Sequence, residues 1–228
     1  MLFLQLQLKT DFHDYYDHWF DREGQIFKRM SHSGISRREM FEFFEQIGLK
    51  TPPHGTPEQI FNTLSEQDKE VEELFQKQGM NFFHTVVYLD ETAHRGEGKL
   101  LIPLTKAMRK YPNVFCSFYY PTLLVGSTSL RYLQIGDKIF WLRYTSDDWR
   151  SNYGNVNIEV LSQEKDGFHP KIDLPVFAID FIRGHDFMWA IDFNIAPGIK
   201  GTGVEDILSA KEATAAIKRW YQKCTTAY

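Results

Sequence analysis

Three oxygen-bearing side chains near the end of the chain carry its strongest chemical signal. Asp180, Asp192 and Asn194 stand inside two apolar runs of Phe, Ile, Ala and Trp joined by a polar turn at Arg183-Gly-His-Asp186. Residues two apart on a strand point to the same face, so Asp192 and Asn194 converge, and a hairpin places Asp180 beside them. Carboxylates in such surroundings are costly unless paired or metal-bound. Hard oxygen donors at the mouth of a hairpin suit Mg²⁺, above all Mg²⁺ carrying nucleotide phosphates. The plainer alternative is that each acid simply ends a strand or makes a surface ion pair, and that Asn194 and the following Pro197-Gly198 are turn chemistry.

A second polar set lies upstream. Arg131, Arg143 and Arg150 stand on or beside neighbouring strands, and Arg150-Ser151-Asn152 sits in a loop able to reach the acids. Guanidinium forks bind phosphate oxygens at two points. Arginines facing a metal-directed cluster are a recurrent electrostatic arrangement for holding a transferring phosphoryl group. Against this, arginines on sheet edges also serve to deter aggregation.

These groups need a sheet to hold them, and the pattern supplies one. Leu130–Ile135, the turn Gly136-Asp137, and Lys138–Tyr144 read as a hairpin with a two-residue turn. Further strands are expected at 82–89, 114–120 and 155–161, ahead of the acid-bearing hairpin at 177–194. Ahead of these, Leu2, Leu4, Leu6 and Leu8 alternate as a half-buried strand. Phe12, Tyr15, Tyr16, Trp19 and Phe20 fall at helical spacing, with His13, Asp14, Asp17 and His18 as the wet face of that helix. Ser36 and Glu39 form a capping box for a helix with Met40, Phe43, Phe44 and Ile47 inward. A second helix starts at Thr56-Pro57 and extends or is followed by helix over 66–78. Another is expected over 100–110, and Ser209 with Glu212 caps a final one. The expected organisation is a mostly helical region over 1–80, serving as a substrate-docking or leading segment, followed by an α+β body over 81–228.

The ordered set of Arg131-Tyr-Leu-Gln-Ile-Gly136-Asp137, Arg143, Arg150-Ser151-Asn152, Asp180, Asp192-Phe-Asn194 and Pro197-Gly198 resembles the catalytic half of the ATP-grasp fold. It is most similar to the branch of ribosomal-protein glutamate ligases and glutathione synthetases, over about residues 115–221. The resemblance implies an α+β fold in which an ATP-grasp-like antiparallel sheet with flanking helices follows a helical N-terminal region. It implies that Asp180, Asp192 and Asn194 hold Mg²⁺ on the phosphates of ATP. Arg143, Arg150 and Asn152 would contact the γ-phosphate or an acylphosphate, with Arg131 and Lys99 also on the nucleotide. The family reaction is attack of a carboxylate on ATP, followed by capture of the acylphosphate by an amine; the protein contributes positioning and charge neutralisation. The chain departs from the family in having Asp192 where a Glu is usual. Its front region, about 80–120, is short, with Arg95-Gly96-Glu-Gly98-Lys99 as the only candidate flap and lysine. It shows no evident hinge glutamate in Phe115–Pro121, and a Gly/Pro stretch near 167–175 replaces a helix.

Composition narrows the alternatives. The 228 residues, 43% hydrophobic with 19 Phe, 11 Tyr and 5 Trp, can bury a sizeable core. A net charge of −4 without a basic block argues against nucleic acid as a partner. Cys116 and Cys224 are the two cysteines, which points to a reducing compartment rather than a disulfide scaffold. The first residues lack the pattern of a signal peptide and no stretch is long enough to span a membrane, so a cytoplasmic setting is expected. No catalytic triad, phosphate loop or dinucleotide fingerprint is present. Three functions stay open at this level. One is an ATP- and Mg²⁺-dependent carboxylate–amine ligase acting on an unknown pair of substrates, one of them a protein or peptide. Another is a degenerate ATP-grasp module that binds nucleotide or a partner without turnover. The third is phosphoryl transfer to a hydroxyl.

Overall fold

A computed structural model describes residues 6–9, 15–20, 26–30, 36–67, 83–91, 98–120, 127–162, 168–183, 188–194 and 197–226. In chain order the strands are β1 (Leu6–Lys9), β2 (Tyr15–Phe20), β3 (Ile26–Met30), β4 (His54–Gly55), β5 (His84–Tyr88), β6 (Lys99–Pro103), β7 (Cys116–Phe118), β8 (Ser127–Ile135), β9 (Lys138–Ser146), β10 (Val156–Ser162), β11 (Val176–Arg183) and β12 (Met188–Asn194). The helices are α1 (Arg37–Gln46), α2 (Pro57–Gln67), α3 (Leu104–Lys110) and α4 (Ala210–Thr226), with a short 3₁₀ turn at Val204–Asp206. The class is α+β, and every strand pair with a resolved register is antiparallel. Among the described residues no helix is long and apolar enough to cross a membrane.

The chain divides into two compact units. One comprises Met1–Gly34, Leu124–Arg183 and Ile191–Tyr228; the other comprises Ile35–Leu123 and Gly184–Ala190. The second unit is built on the sheet β4-β7-β5-β6. Its core joins Ile60 and Leu64 of α2, Leu104 and Ala107 of α3, and Val87, Cys116 and Phe118 of the sheet. Its helix starts follow the sequence signals. Ser36 and Glu39 exchange the reciprocal bonds of a capping box, and Thr56 and Gln59 do the same for α2.

The first unit contains a five-stranded sheet, ordered β10-β9-β8-β11-β12. Partners across an antiparallel ladder share a face, so the register defines two faces of β8, β9 and β11. On one, Leu133 and Ile135 of β8, Phe140 and Leu142 of β9, and Val176 and Ala178 of β11 are buried against Ile199, Val204, Ala213 and Ile217. Each of the Val, Leu, Ile and Phe side chains contributes about 1.5–3 kcal/mol on burial. The other face is an aromatic cluster: Tyr132 lies 5.4 Å from Trp141 and 5.8 Å from Phe177, and Phe168 lies 5.6 Å from Phe181. The β8–β9 turn explains its glycine. Gly136 has φ +61°, and a Cβ there would sit 2.2 Å from the backbone carbon of Ala216 in α4.

Two expectations are corrected. Residues 15–20 form strand β2, paired with β1 and β3, instead of a helix. Aromatic side chains at 15, 16, 19 and 20 fit a helical stripe but are also strong strand formers, and cross-strand pairing decides between them. The helix expected over 100–110 begins only at Leu104. Residues 99–103 are strand β6, hydrogen-bonded along β5, and Pro103 stands at the helix entrance. Of the extension expected over 66–78, residues 68–78 lie outside the described residues, as do Arg95, Gly96 and Glu97 of the candidate flap.

Candidate functional site

On the core face of the large sheet, three neighbouring strands change character at the same level. Along β8 the inward residues run Ile135, Leu133, Arg131, Ser129, Ser127; along β9 they run Phe140, Leu142, Tyr144, Ser146; along β11 they run Val176, Ala178, Asp180. The polar members are as buried as the apolar ones: Arg131, Asp180, Ser127, Ser129, Tyr144 and Ser146 are all buried. An apolar core that gives way to a buried polar strip is costly to build, because each polar group must be satisfied.

At the head of this strip Arg131 and Asp180 lie directly opposite one another in the ladder. The guanidinium grips the carboxylate with both prongs, Nε to Oδ1 at 2.6 Å and Nη2 to Oδ2 at 2.8 Å. Its third nitrogen donates to the Tyr144 hydroxyl at 3.1 Å, and the cation lies 4.6 Å from that ring's centroid. Burial by itself opposes the Arg131 charge, but the Asp180 carboxylate more than offsets it, with smaller contributions from Tyr144 and Asp192, so the guanidinium is held above its ordinary pKa.

Asp192 and Asn194 come to this same face. Phe193 between them packs its ring 6.1 Å from Phe177, within the aromatic layer, which turns both neighbours the other way. Asp192 lies near enough to stabilise the Arg131 charge. The structure thus brings Arg131, Asp180, Asp192 and Asn194 to one face of β8, β11 and β12.

The loop carrying Arg150, Ser151 and Asn152 is fastened to the same strip. The Ser151 and Ser129 hydroxyls are 2.6 Å apart, the Ser146 hydroxyl donates to the Tyr153 carbonyl, and the Asp148 amide donates to Ser146 Oγ at 3.1 Å. Asn152 is exposed in the turn. Arg150 is forked onto Asp148, Nε to Oδ1 at 2.8 Å and Nη2 to Oδ2 at 3.1 Å. Its hydrogen bond to Arg150 holds the Asp148 carboxyl below its ordinary pKa.

The structure turns one of the expected residues away from this set, and another belongs to the other compact unit. Arg143 pairs with Leu130 across the ladder, so it projects from the aromatic face, opposite Asp180, and its exposed guanidinium meets Glu159 at 3.1 Å. The reason is the two-residue period: a one-residue offset from Leu142 and Tyr144 moves a side chain to the other side of the sheet. Lys99 opens β6 in the other compact unit, its ammonium 5.7 Å from the Tyr88 ring centroid. Sequence reasoning also missed Asp148, Ser129, Tyr144 and Tyr153. Ser129 was findable, since it stands two residues before Arg131 on a strand; Tyr144 required the β8–β9 register.

Among the described residues no three His, Cys, Asp or Glu side chains converge to hold a metal ion. Besides hydroxyls, the oxygen donors described on this face are the Asp180 and Asp192 carboxylates and the Asn194 amide. Asp180 has both oxygens engaged by Arg131, although each keeps lone-pair capacity. The donor chemistry fits a hard divalent cation held by Asp192 and Asn194, with Asp180 fixed beside them and remaining positions left to phosphate oxygens and water.

No protein-family model and no curated protein matches the chain. Among solved structures the chain is similar to PsnB, an ATP-grasp ligase solved with a phosphomimetic variant of its minimal precursor, Mg and ADP. The identity is 14% over 80% of this chain and 58% of that one, with a TM-score of 0.48. It is similar to the D-alanine–D-alanine ligase of Bacillus anthracis, at 10% identity over 84% and 68% with a TM-score of 0.47. It is also similar to a RiPP-associated ATP-grasp ligase of Chryseobacterium gregarium in complex with ADP and leader and core peptides, at 11% identity over 97% and 85% with a TM-score of 0.45. The chain spans less than two thirds of the length of PsnB.

Proposed function

We propose that the chain is an ATP- and Mg²⁺-dependent carboxylate–amine ligase of ATP-grasp type, with a protein or peptide as one substrate. One observation carries the proposal: the buried Arg131 and Asp180 and the half-buried Asp192 and Asn194 share one face of the sheet, to which the Arg150-Ser151-Asn152 loop is fastened by Ser129. In this reading Asp192 and Asn194 hold Mg²⁺, Arg131 fixes Asp180, and Arg150 and Asn152 meet the γ-phosphate. When bound, Mg²⁺ neutralises phosphate charge. The carboxylate oxygen of one substrate attacks the γ-phosphorus and ADP leaves; the amine of the other attacks the acyl carbon, loses a proton, and inorganic phosphate departs. The chain supplies no nucleophile. It orients the reactants and balances developing negative charge with guanidinium groups in a partly dehydrated strip. Arg143 has no part in this arrangement, and we assign Lys99 no role in it. A reducing, ATP-containing compartment, the cytoplasm, suits the chemistry.

The second reading is a nucleotide- or partner-binding module without turnover. It is favoured by one feature, the engagement of both Asp180 oxygens by Arg131. Calorimetric titration with ADP and Mg²⁺ is the first test. Binding that requires Mg²⁺ and is lost in Asp192→Ala is expected; absence of ADP binding in the wild type refutes the ligase and the nucleotide-binding form of the second reading. Release of ADP from ATP that depends on an added amine distinguishes the ligase from the silent module and from a kinase.

A further inference from the structure

Arg150 sits in a short loop between β9 and β10 whose backbone is tied at several points. Besides the Ser129–Ser151 and Ser146–Tyr153 contacts, Asn155 donates its amide and side-chain nitrogens to the Asp147 carboxylate at 3.1 and 2.7 Å. Gly154 adopts φ +77°, and a Cβ there would lie 2.6 Å from Asp147 Oδ1. The Tyr153 amide donates to the Arg150 carbonyl at 3.3 Å, and the Arg150 amide donates to Asp148 Oδ1 at 2.9 Å. These contacts restrain the loop tip, and within it the Arg150 side chain is held from two sides. Asp148 takes Nε and one proton of Nη2. Tyr153 lies under the guanidinium plane, 3.6 Å from Cζ to the ring centroid, and the Trp149 ring is 5.4 Å away.

A guanidinium has five N–H donors in one plane. The Asp148 fork uses one edge, and the ring fixes the plane's tilt, so the Nη1 edge has a defined direction. We propose that Asp148 and Tyr153 are positioning residues for Arg150, presetting its Nη1 edge to meet an anionic oxygen at the γ-position of a bound nucleotide. This deepens the reading above and rests on it. Without the cage a four-carbon-reach side chain on an exposed loop samples many rotamers, and its ordering would have to occur on each binding event. With the cage that ordering is already present in the folded chain. The chemistry also selects the ligand: Asp148 neutralises much of the Arg150 charge, so a weakly charged oxygen gains little, whereas a terminal phosphoryl group, with several anionic oxygens, gains a directed, charge-assisted hydrogen bond.

The test is the ratio of the dissociation constants of the full chain for Mg·ADP and for Mg·β,γ-imido-ATP, measured by calorimetry, with the thermal midpoint recorded for each variant. Arg150→Ala is expected to abolish the preference for the triphosphate. Tyr153→Leu is expected to reduce it about fivefold while leaving the ADP constant and the midpoint in place, and Tyr153→Phe, which keeps the ring face, is expected to stay within about twofold of wild type. Tyr153 is half exposed, so its substitution leaves the core intact. Asp148→Asn is expected to weaken the preference as well. Because it also removes a charge that repels nucleotide, the neutral Tyr153 pair is the decisive comparison. If Tyr153→Leu and Asp148→Asn keep a preference that Arg150→Ala loses, the cage is overturned and the nucleotide reading stands. A preference unaffected by Arg150→Ala overturns the inference at Arg150 itself, with Asp192→Ala still deciding the metal side. A wild-type chain that binds neither nucleotide overturns the functional reading and this inference together.

Discussion

Replacing Arg131 with methionine is the most direct probe of the buried polar strip. Both side chains of the Arg131–Asp180 pair are about 10% exposed, so neither charge can turn to water when its partner is removed. Two routes give the magnitude. The fork consists of two charge-assisted hydrogen bonds at 2.6 and 2.8 Å, and such bonds contribute about 1.5–3 kcal/mol each. Removing one partner of a buried ion pair costs about 3–5 kcal/mol, because the other charge is left uncompensated. The routes agree on roughly 3–5 kcal/mol, against a total stability for a typical domain of about 5–15 kcal/mol. Asp192 adds to the loss, since it too interacts with the Arg131 charge. The double variant Arg131→Met with Asp180→Leu removes the desolvation cost of both charges. It should be less destabilised than the sum of the singles by at least about 2 kcal/mol. Urea unfolding gives the free energies. Amide exchange along β8 and β11 assigns the loss to this unit, which matters in a chain of two compact units. A loss below about 1 kcal/mol for Arg131→Met, or strict additivity in the cycle, would refute the claim that the pair is a buried constraint on the strip.

Other predictions follow from single contacts. Gly136→Ala should lower stability by about 2–5 kcal/mol in urea unfolding, combining a left-handed backbone cost with overpacking against the α4 backbone. Ser129→Ala should loosen the Arg150 loop, seen as faster amide exchange over 147–155, with a stability loss of about 1 kcal/mol for the Ser129–Ser151 bond. Burial pushes the Cys116 thiol up to about 12, so it should resist alkylation at pH 8 in the folded chain and react only on unfolding. The same shift fixes a pH trend: the folded state keeps the Cys116 proton where the unfolded chain has lost it. Stability from this group is therefore complete below about pH 8.5 and falls by up to about 1.4 kcal/mol per pH unit above it. Tyr132, also raised to about 12 by burial, adds a similar loss above its own unfolded value. Removing the thiol with Cys116→Ala should flatten its part of the alkaline slope.

Local chemistry settled much of the architecture. Ser36-x-x-Glu39, Thr56-Pro57-x-Gln59 and Ser209-x-x-Glu212 each cap a helix where the sequence placed one, because a capping box is a contact among four consecutive residues. Gly136-Asp137 between alternating runs marked the β8–β9 hairpin for the same reason, since a two-residue turn demands a left-handed backbone that glycine supplies. The convergence of Asp180, Asp192 and Asn194 on one face was also legible, through period-two alternation within the acid-bearing strands.

What lay beyond the sequence depends on register and on distant packing. That Asp180 belongs to Arg131, 49 positions away, is fixed only when β8 and β11 pair, and nothing in either segment states that register. The same pairing sends Arg143 to the aromatic face, although it looks equivalent to Arg131 and Arg150 in the chain. Tyr15 to Phe20 forms a strand because β1 and β3 are there to pair with it, a non-local gain that outweighs a stripe also suited to a helix. The residues therefore declare which groups can do chemistry. Only the sheet, by assigning each side chain a face and an opposite number, decides which of them meet.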